Sequence, residues 1–174
     1  MHIFRIRYIK FKQLSQYIRA CARGNCAIGG FVAGSSFSDD LYALFRNCNV
    51  VGDISVNNTT GGTAYAGGII GYEYPYPPYL YIEDCSVEID ISLKNRNQKI
   101  GVAAGIVSYY SWGNLEIYVY NCNSKGSINA QSASAINGGT PWASCNVDYK
   151  NNSCDIYLNG EKKTAVDDYY LYKE

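Results

Sequence analysis

Histidine is nearly missing from this chain: the single copy, His2, stands at the second position. A His/Cys zinc site and a Cys–His or Ser–His nucleophile pair each need histidine inside the fold, so no metal centre, cofactor or catalytic set is expected. Charge is sparse as well. Charged residues make up 17% of the chain, and fifteen Lys and Arg balance fifteen Asp and Glu. That balance argues against nucleic acid as a partner, because phosphate binding needs a net basic surface. No apolar run is long enough to cross a bilayer, so no transmembrane helix is expected. Low polarity excludes the other extreme: with 47% apolar residues, the chain is not of the disordered class.

What is abundant is glycine, 17 copies, and tyrosine, 18 copies, in 174 residues. The length suits one domain. The charge is unevenly placed. Residues 1–38 hold Arg5, Arg7, Lys10, Lys12, Arg19 and Arg23 and no acid, so every acid lies in the body that follows. A basic head on an acidic body suggests a separate structural unit at the front.

The body repeats itself. Asn47-Cys48-Asn49-Val50, Asp84-Cys85-Ser86-Val87 and Asn121-Cys122-Asn123-Ser124 recur every 37 residues. The match extends without a gap to Ala43/Leu80/Ile117, Phe45/Ile82/Val119 and Ile54/Ile91/Ile128. Glycine-rich runs precede the units: Gly29-Gly30-Phe31-Val32, Gly67-Gly68-Ile69-Ile70 and Ala104-Gly105-Ile106-Val107. Within a unit the period is two. Cys85, Val87, Ile89, Ile91 and Leu93 alternate with Ser86, Glu88, Asp90 and Ser92, the pattern of a strand with one buried face. The step of three from Ile82 to Cys85 breaks the alternation at an Asn or Asp, which tolerates the backbone of a tight corner.

Each unit therefore offers three strands and cannot close a core alone; stacking the units buries a continuous interior. The fold expected is all-β, a right-handed parallel β-helix (solenoid) of about three full coils over residues 29–130. A degenerate fourth coil and a C-terminal cap or tail follow over 131–174. An antiparallel sandwich is the competing architecture. Residues 1–28 are expected to form a basic N-terminal cap, a strand then a short helix. Phe4 to Tyr8 alternates, and Leu14, Tyr17 and Ile18 fall at helical spacing. Membrane-surface anchoring is the alternative use of such a helix. In the fourth coil, Ser144-Cys145-Asn146-Val147-Asp148-Tyr149 echoes the Asn-Cys strand, only 23 residues after Cys122. Asn159-Gly160 after Ser153–Leu158 predicts a hairpin turn.

At these residues the chain resembles a known family. Gly67-Gly68-Ile69-Ile70-Gly71-Tyr72, followed by Tyr81-Ile82-Glu83-Asp84-Cys85-Ser86-Val87, is similar to the GLUG repeat. The likeness covers about residues 29–130, with Ala104 where a glycine is usual and Ile89 where Gly52 and Gly126 stand. It implies β-helical segments of secreted or cell-surface proteins, some adhesin-like and some beside protease domains. It also implies export and a place in a larger polypeptide.

Seven cysteines cannot all pair. Cys48, Cys85 and Cys122 are expected as reduced core residues in one inward column. Cys21 with Cys26 and Cys145 with Cys154 could form local disulfides in an oxidising compartment. Asn57, Asn58 and Asn151 lie in glycosylation sequons. Glu88 and Asp90 share an outward strand face and resemble a glycosidase pair by spacing alone. Two aromatic loops leave successive coils at the same place: Tyr72 to Tyr79, and Tyr109 to Gly113. Tyr and Trp offer an apolar ring face and a polar tip, which suits sugar rings or protein partners. Tyr74, Tyr76, Tyr79, Tyr110 and Trp112 are the candidate binding residues for a glycan or surface-protein ligand. Packing of these rings on one another is the simpler alternative. The function expected is a non-enzymatic stalk or adhesin-like module. A polysaccharide lyase or hydrolase, and a scaffold segment of a larger surface protease, are the alternatives.

Overall fold

The computed structural model describes residues 8–9, 14–22, 26–30, 42–58, 63–71, 79–95, 101–108, 116–136 and 146–164. Every regular element among them is a strand: β1 (Tyr8–Ile9), β2 (Leu14–Ala22), β3 (Cys26–Gly29), β4 (Tyr42–Arg46), β5 (Asn49–Asn58), β6 (Ala64–Gly67), β7 (Tyr79–Glu83), β8 (Ser86–Asn95), β9 (Gly101–Ala104), β10 (Glu116–Tyr120), β11 (Asn123–Asn129), β12 (Ser132–Ser134), β13 (Asn146–Lys150), β14 (Ser153–Leu158) and β15 (Glu161–Lys163). They form three sheets, ordered β1-β4-β7-β10-β13, β2-β5-β8-β11-β14-β15 and β3-β6-β9-β12. All neighbours run parallel except β14 and β15.

The repeat spacing becomes the pairing register. Phe45 lies beside Ile82 and Ile82 beside Val119; Ile54 lies beside Ile91 and Ile91 beside Ile128. These residues are at most 2% exposed and join one hydrophobic cluster drawn from all three sheets. Burying each isoleucine contributes roughly 2–3 kcal/mol relative to leaving it in water.

The corners follow from backbone chemistry. Asn47, Asp84, Asn121 and Asn151 have φ of 56°, 53°, 54° and 57°, in the left-handed region that short Asx side chains tolerate. Their side chains form a column: Asn121 Nδ2 donates to Asp84 Oδ1 at 3.0 Å and Asn151 Nδ2 to Asn121 Oδ1 at 3.2 Å. The backbone continues it, with Asp84 N donating to Tyr120 O at 3.0 Å.

The glycine runs have a steric cause. A Cβ on Gly68 would lie 1.9 Å from the Gly105 carbonyl oxygen, and one on Gly105 would lie 2.0 Å from that of Ala135. Each unit's carbonyl thus rests where the preceding unit's side chain would be.

Two expectations need correction. Residues Leu14–Ala22 are not a helix but strand β2, paired parallel with β5. Leu14, Ile18 and Ala20 fall in register with the buried Val50, Ile54 and Val56. The helical spacing of Leu14, Tyr17 and Ile18 is overridden because the open edge of β5 offers a ladder for the backbone groups of this stretch. Nor do Asn146 to Tyr149 form the strand that follows a corner: they belong to β13, which pairs with β10, and Asn151-Asn152 holds the corner, 30 residues after Asn121. Ser144 and Cys145 lie outside the described residues. The Asn159-Gly160 turn is where the sequence put it, with φ of 50° and 86°, joining β14 to antiparallel β15.

Candidate ligand-binding face

Strands β7 and β10 alternate strictly between core and solvent. Leu80, Ile82, Ile117 and Val119 are buried, which turns Tyr79, Tyr81, Glu83, Glu116, Tyr118 and Tyr120 to the wet face of the first sheet. In register, Tyr79 sits beside Glu116, Tyr81 beside Tyr118, and Glu83 beside Tyr120. Strand β4 adds Arg46 next to Glu83, and β13 adds Asp148 next to Tyr118.

These side chains engage one another. Tyr81 and Tyr118 stack with centroids 4.7 Å apart and planes 7° from parallel, and Tyr120 meets Tyr118 edge-on at 6.0 Å. Both are favoured aromatic geometries. The Tyr118 hydroxyl donates to Glu116 Oε2, and the Tyr120 hydroxyl to Asp148 Oδ2 at 2.7 Å. The Glu116 carboxylate, which accepts only from the protonated phenol, pushes Tyr118 up to about 12. Partial burial of its ring and the bond to Asp148 push Tyr120 up to about 12. Arg46 donates to Glu83 Oε2 from Nε at 2.7 Å and from a terminal guanidinium nitrogen.

In the stacked pair each ring covers one face of the other. Tyr79 differs. It lies in register between Tyr42 and Glu116 and remains 38% exposed. An exposed ring beside hydrogen-bond acceptors suits a ligand with one apolar side and several hydroxyls.

Of the residues singled out in the sequence, Tyr79 is on this face. Tyr74, Tyr76, Tyr110 and Trp112 lie outside the described residues. The chain from Tyr74 and Tyr76 leads directly into Tyr79, and that from Tyr110 and Trp112 into Glu116. Sequence reasoning missed Tyr81, Tyr118, Tyr120 and their acidic partners. The signal was present in the alternation of Tyr79-Leu80-Tyr81-Ile82-Glu83, where every second residue is polar or aromatic.

Glu88 and Asp90 stand exposed on the second sheet. They line an open groove of about 260 Å³ with Asp53, Lys125, Gly52 and Gly126. Ser127 Oγ donates to Asp90 Oδ1 at 2.6 Å. Cys48, Cys85, Cys122 and Cys154 are buried, reduced thiols, so Cys154 is in no disulfide. The Cys122 thiol and burial push the Cys85 thiol up to about 12. Among the described residues no cluster of His, Cys, Asp and Glu could hold a metal ion, and no helix is long and apolar enough to cross a membrane. Compared with known proteins, the chain matches no family model, no curated protein and no solved structure.

Proposed function

We propose that the chain is a right-handed parallel β-helix, a non-enzymatic repeat module of a secreted or cell-surface protein, and that its tyrosine-rich face binds a glycan. The strand order supports the coiled architecture. In all three sheets the inner strands β4 to β11 lie between strands from the preceding and following units, in parallel and in chain order. The GLUG-like motif supports export and a surface location. If the units stack as coils, deleting residues 86–122 removes one whole unit and rejoins equivalent positions. That variant should still unfold cooperatively, as a shortened repeat array does. An aggregated or non-cooperative product would overturn the coiled reading.

One observation carries the binding proposal: Tyr79 is 38% exposed beside Glu116, while Tyr81 and Tyr118 stack on each other. A pyranose places its apolar face on Tyr79, and its hydroxyls donate to the nearby carboxylates. On a glycan array, Tyr79→Ala should weaken binding about tenfold, ~1.4 kcal/mol. Native chain that binds no glycan, or binding indifferent to Tyr79→Ala, would remove the claim. Capture of proteins alone would shift the reading to a protein-binding surface.

The groove on the second sheet favours a second reading, a carbohydrate-active enzyme using Glu88 and Asp90. Polysaccharide turnover abolished by Glu88→Gln or Asp90→Asn would establish it in place of the binding module.

A further inference from the structure

The ring cluster on the first sheet carries chemistry that binding does not use. Tyr81 and Tyr118 are stacked at 4.7 Å, and Tyr120 touches Tyr118 edge-on at 6.0 Å. The Tyr118 phenol donates to Glu116 and the Tyr120 phenol to Asp148. A phenol bonded to a carboxylate gives up an electron more readily than an isolated one. Its proton passes to the carboxylate as the electron leaves, so no phenol cation has to form. Rings in contact share the resulting electron hole, which gathers oxidation on this cluster. Both bonded phenols stay protonated through the neutral range, so the proton to be passed is in place.

We propose that Tyr81 and Tyr118 form an oxidative cross-linking site, which one-electron oxidants convert into a dityrosine bridge between β7 and β10. Each phenol loses its hydroxyl proton and one electron to the oxidant. For Tyr118 the proton goes to Glu116, and Tyr81 gives up its own as its electron leaves. The two radicals couple at ring carbons ortho to oxygen, forming one C–C bond. Each of those carbons then releases its proton and each oxygen regains one. The net change is loss of two protons and two electrons. In-register parallel strands hold equal ring atoms at about the strand spacing, ~4.8 Å. Both rings stand on the solvent side of the sheet, so rotating them edge to edge does not disturb the core. The bridge would tie together two units 37 residues apart in sequence.

The test uses the full chain and photogenerated tris(bipyridyl)ruthenium(III) with persulfate, read by peptide mapping and dityrosine fluorescence. The expected product is a peptide pair joined at Tyr81 and Tyr118, two hydrogens lighter than its parts. It should be lost in Tyr81→Phe and in Tyr118→Phe, which keep the stacked rings. In Glu116→Gln, with strand content checked by circular dichroism, it should form several-fold more slowly. In urea it should give way to scattered tyrosine pairs. Coupling only at other tyrosines, only between molecules, equally in the unfolded chain, or not at all would overturn the proposal.

Discussion

From β7 to β10 the register advances by 37 residues, and from β10 to β13 by 30. The shorter unit keeps its corner, at Asn151, yet changes what stands on either side. Where Cys48, Cys85 and Cys122 occupy the inward position after the corner, the last unit has Asn152, which is 1% exposed. Its Oδ1 accepts from Cys122 N at 2.9 Å and its Nδ2 donates to Val119 O at 2.7 Å. The glycine column changes too. Gly30, Gly68 and Gly105 each lie under a carbonyl of the following unit, whereas Ala135 takes the equivalent place in the last described unit and carries a Cβ. In the second sheet, antiparallel β15 covers the edge of β14. Middle units are thus constrained by what stacks on them, and the last unit by the need to finish the ladder. Sheet edges left bare invite pairing with other chains.

The comparison breaks most sharply at glycine. Gly68→Ala places a methyl 1.9 Å from a backbone oxygen and 2.5 Å from Val87 Cγ1, so it should cost about 3 kcal/mol or prevent folding. Ala135→Gly should cost under about 1 kcal/mol, the entropy of an extra glycine. Urea unfolding of the two variants side by side measures the asymmetry; equal losses would refute it.

Asn152 is the next lever. Asn152→Leu keeps the branched shape but leaves the Cys122 amide and the Val119 carbonyl without these partners. The expected loss is about 2–3 kcal/mol, seen as a lower urea midpoint. Asn152→Cys, which restores the residue of the middle units, should destabilise in the same direction.

Ser124 lets a middle position be improved. It lies in register with Val87, is fully buried, and its hydroxyl has no hydrogen-bond partner. Val87 already packs against Gly68 as Ser124 does against Gly105. Ser124→Val should therefore raise stability by about 1 kcal/mol in the same titration. A loss would show that the third unit leaves less room than the second.

The smallest effect is expected on the wet face. Tyr118 and Tyr120 are raised from 10.0 to about 12, so folding favours their protonated forms. Above pH 10 the unfolded chain has released protons that the folded chain still holds, and stability falls as pH rises from there toward 12. Below pH 10 the contribution is fully present. Solvent screening keeps it modest. Melting temperatures across this range should fall less steeply in Tyr118→Phe than in the native chain.

Much of the fold was legible because the repeat is gapless. Ile54, Ile91 and Ile128 share both a spacing and a period-two neighbourhood, so their alignment states their register before any coordinates do. The hairpin at Asn159-Gly160 was equally plain, since that dipeptide suits the positive φ of its turn. Strand β2 was not. Leu14, Tyr17 and Ile18 satisfy a helical spacing, while Leu14, Ile18 and Ala20 satisfy a strand spacing, and a short apolar stretch cannot choose between them. The candidate face was half legible. Tyr79 stood out as the end of an aromatic loop. Tyr81, Tyr118 and Tyr120 were hidden as ordinary wet-face residues of strands, and only the lateral register of β7 and β10 brings them together.

The sequence by itself determined the strand pattern, the corner positions and the pairing partners of the 37-residue units, because identical spacing leaves a parallel ladder one consistent alignment. Tertiary structure decided the rest. It made β2 a strand by offering its backbone the edge of β5, moved the last corner to Asn151, and set ring on ring at Tyr81 and Tyr118. Each of those outcomes depends on which groups lie side by side across neighbouring strands, a relation between distant residues that local periodicity does not contain.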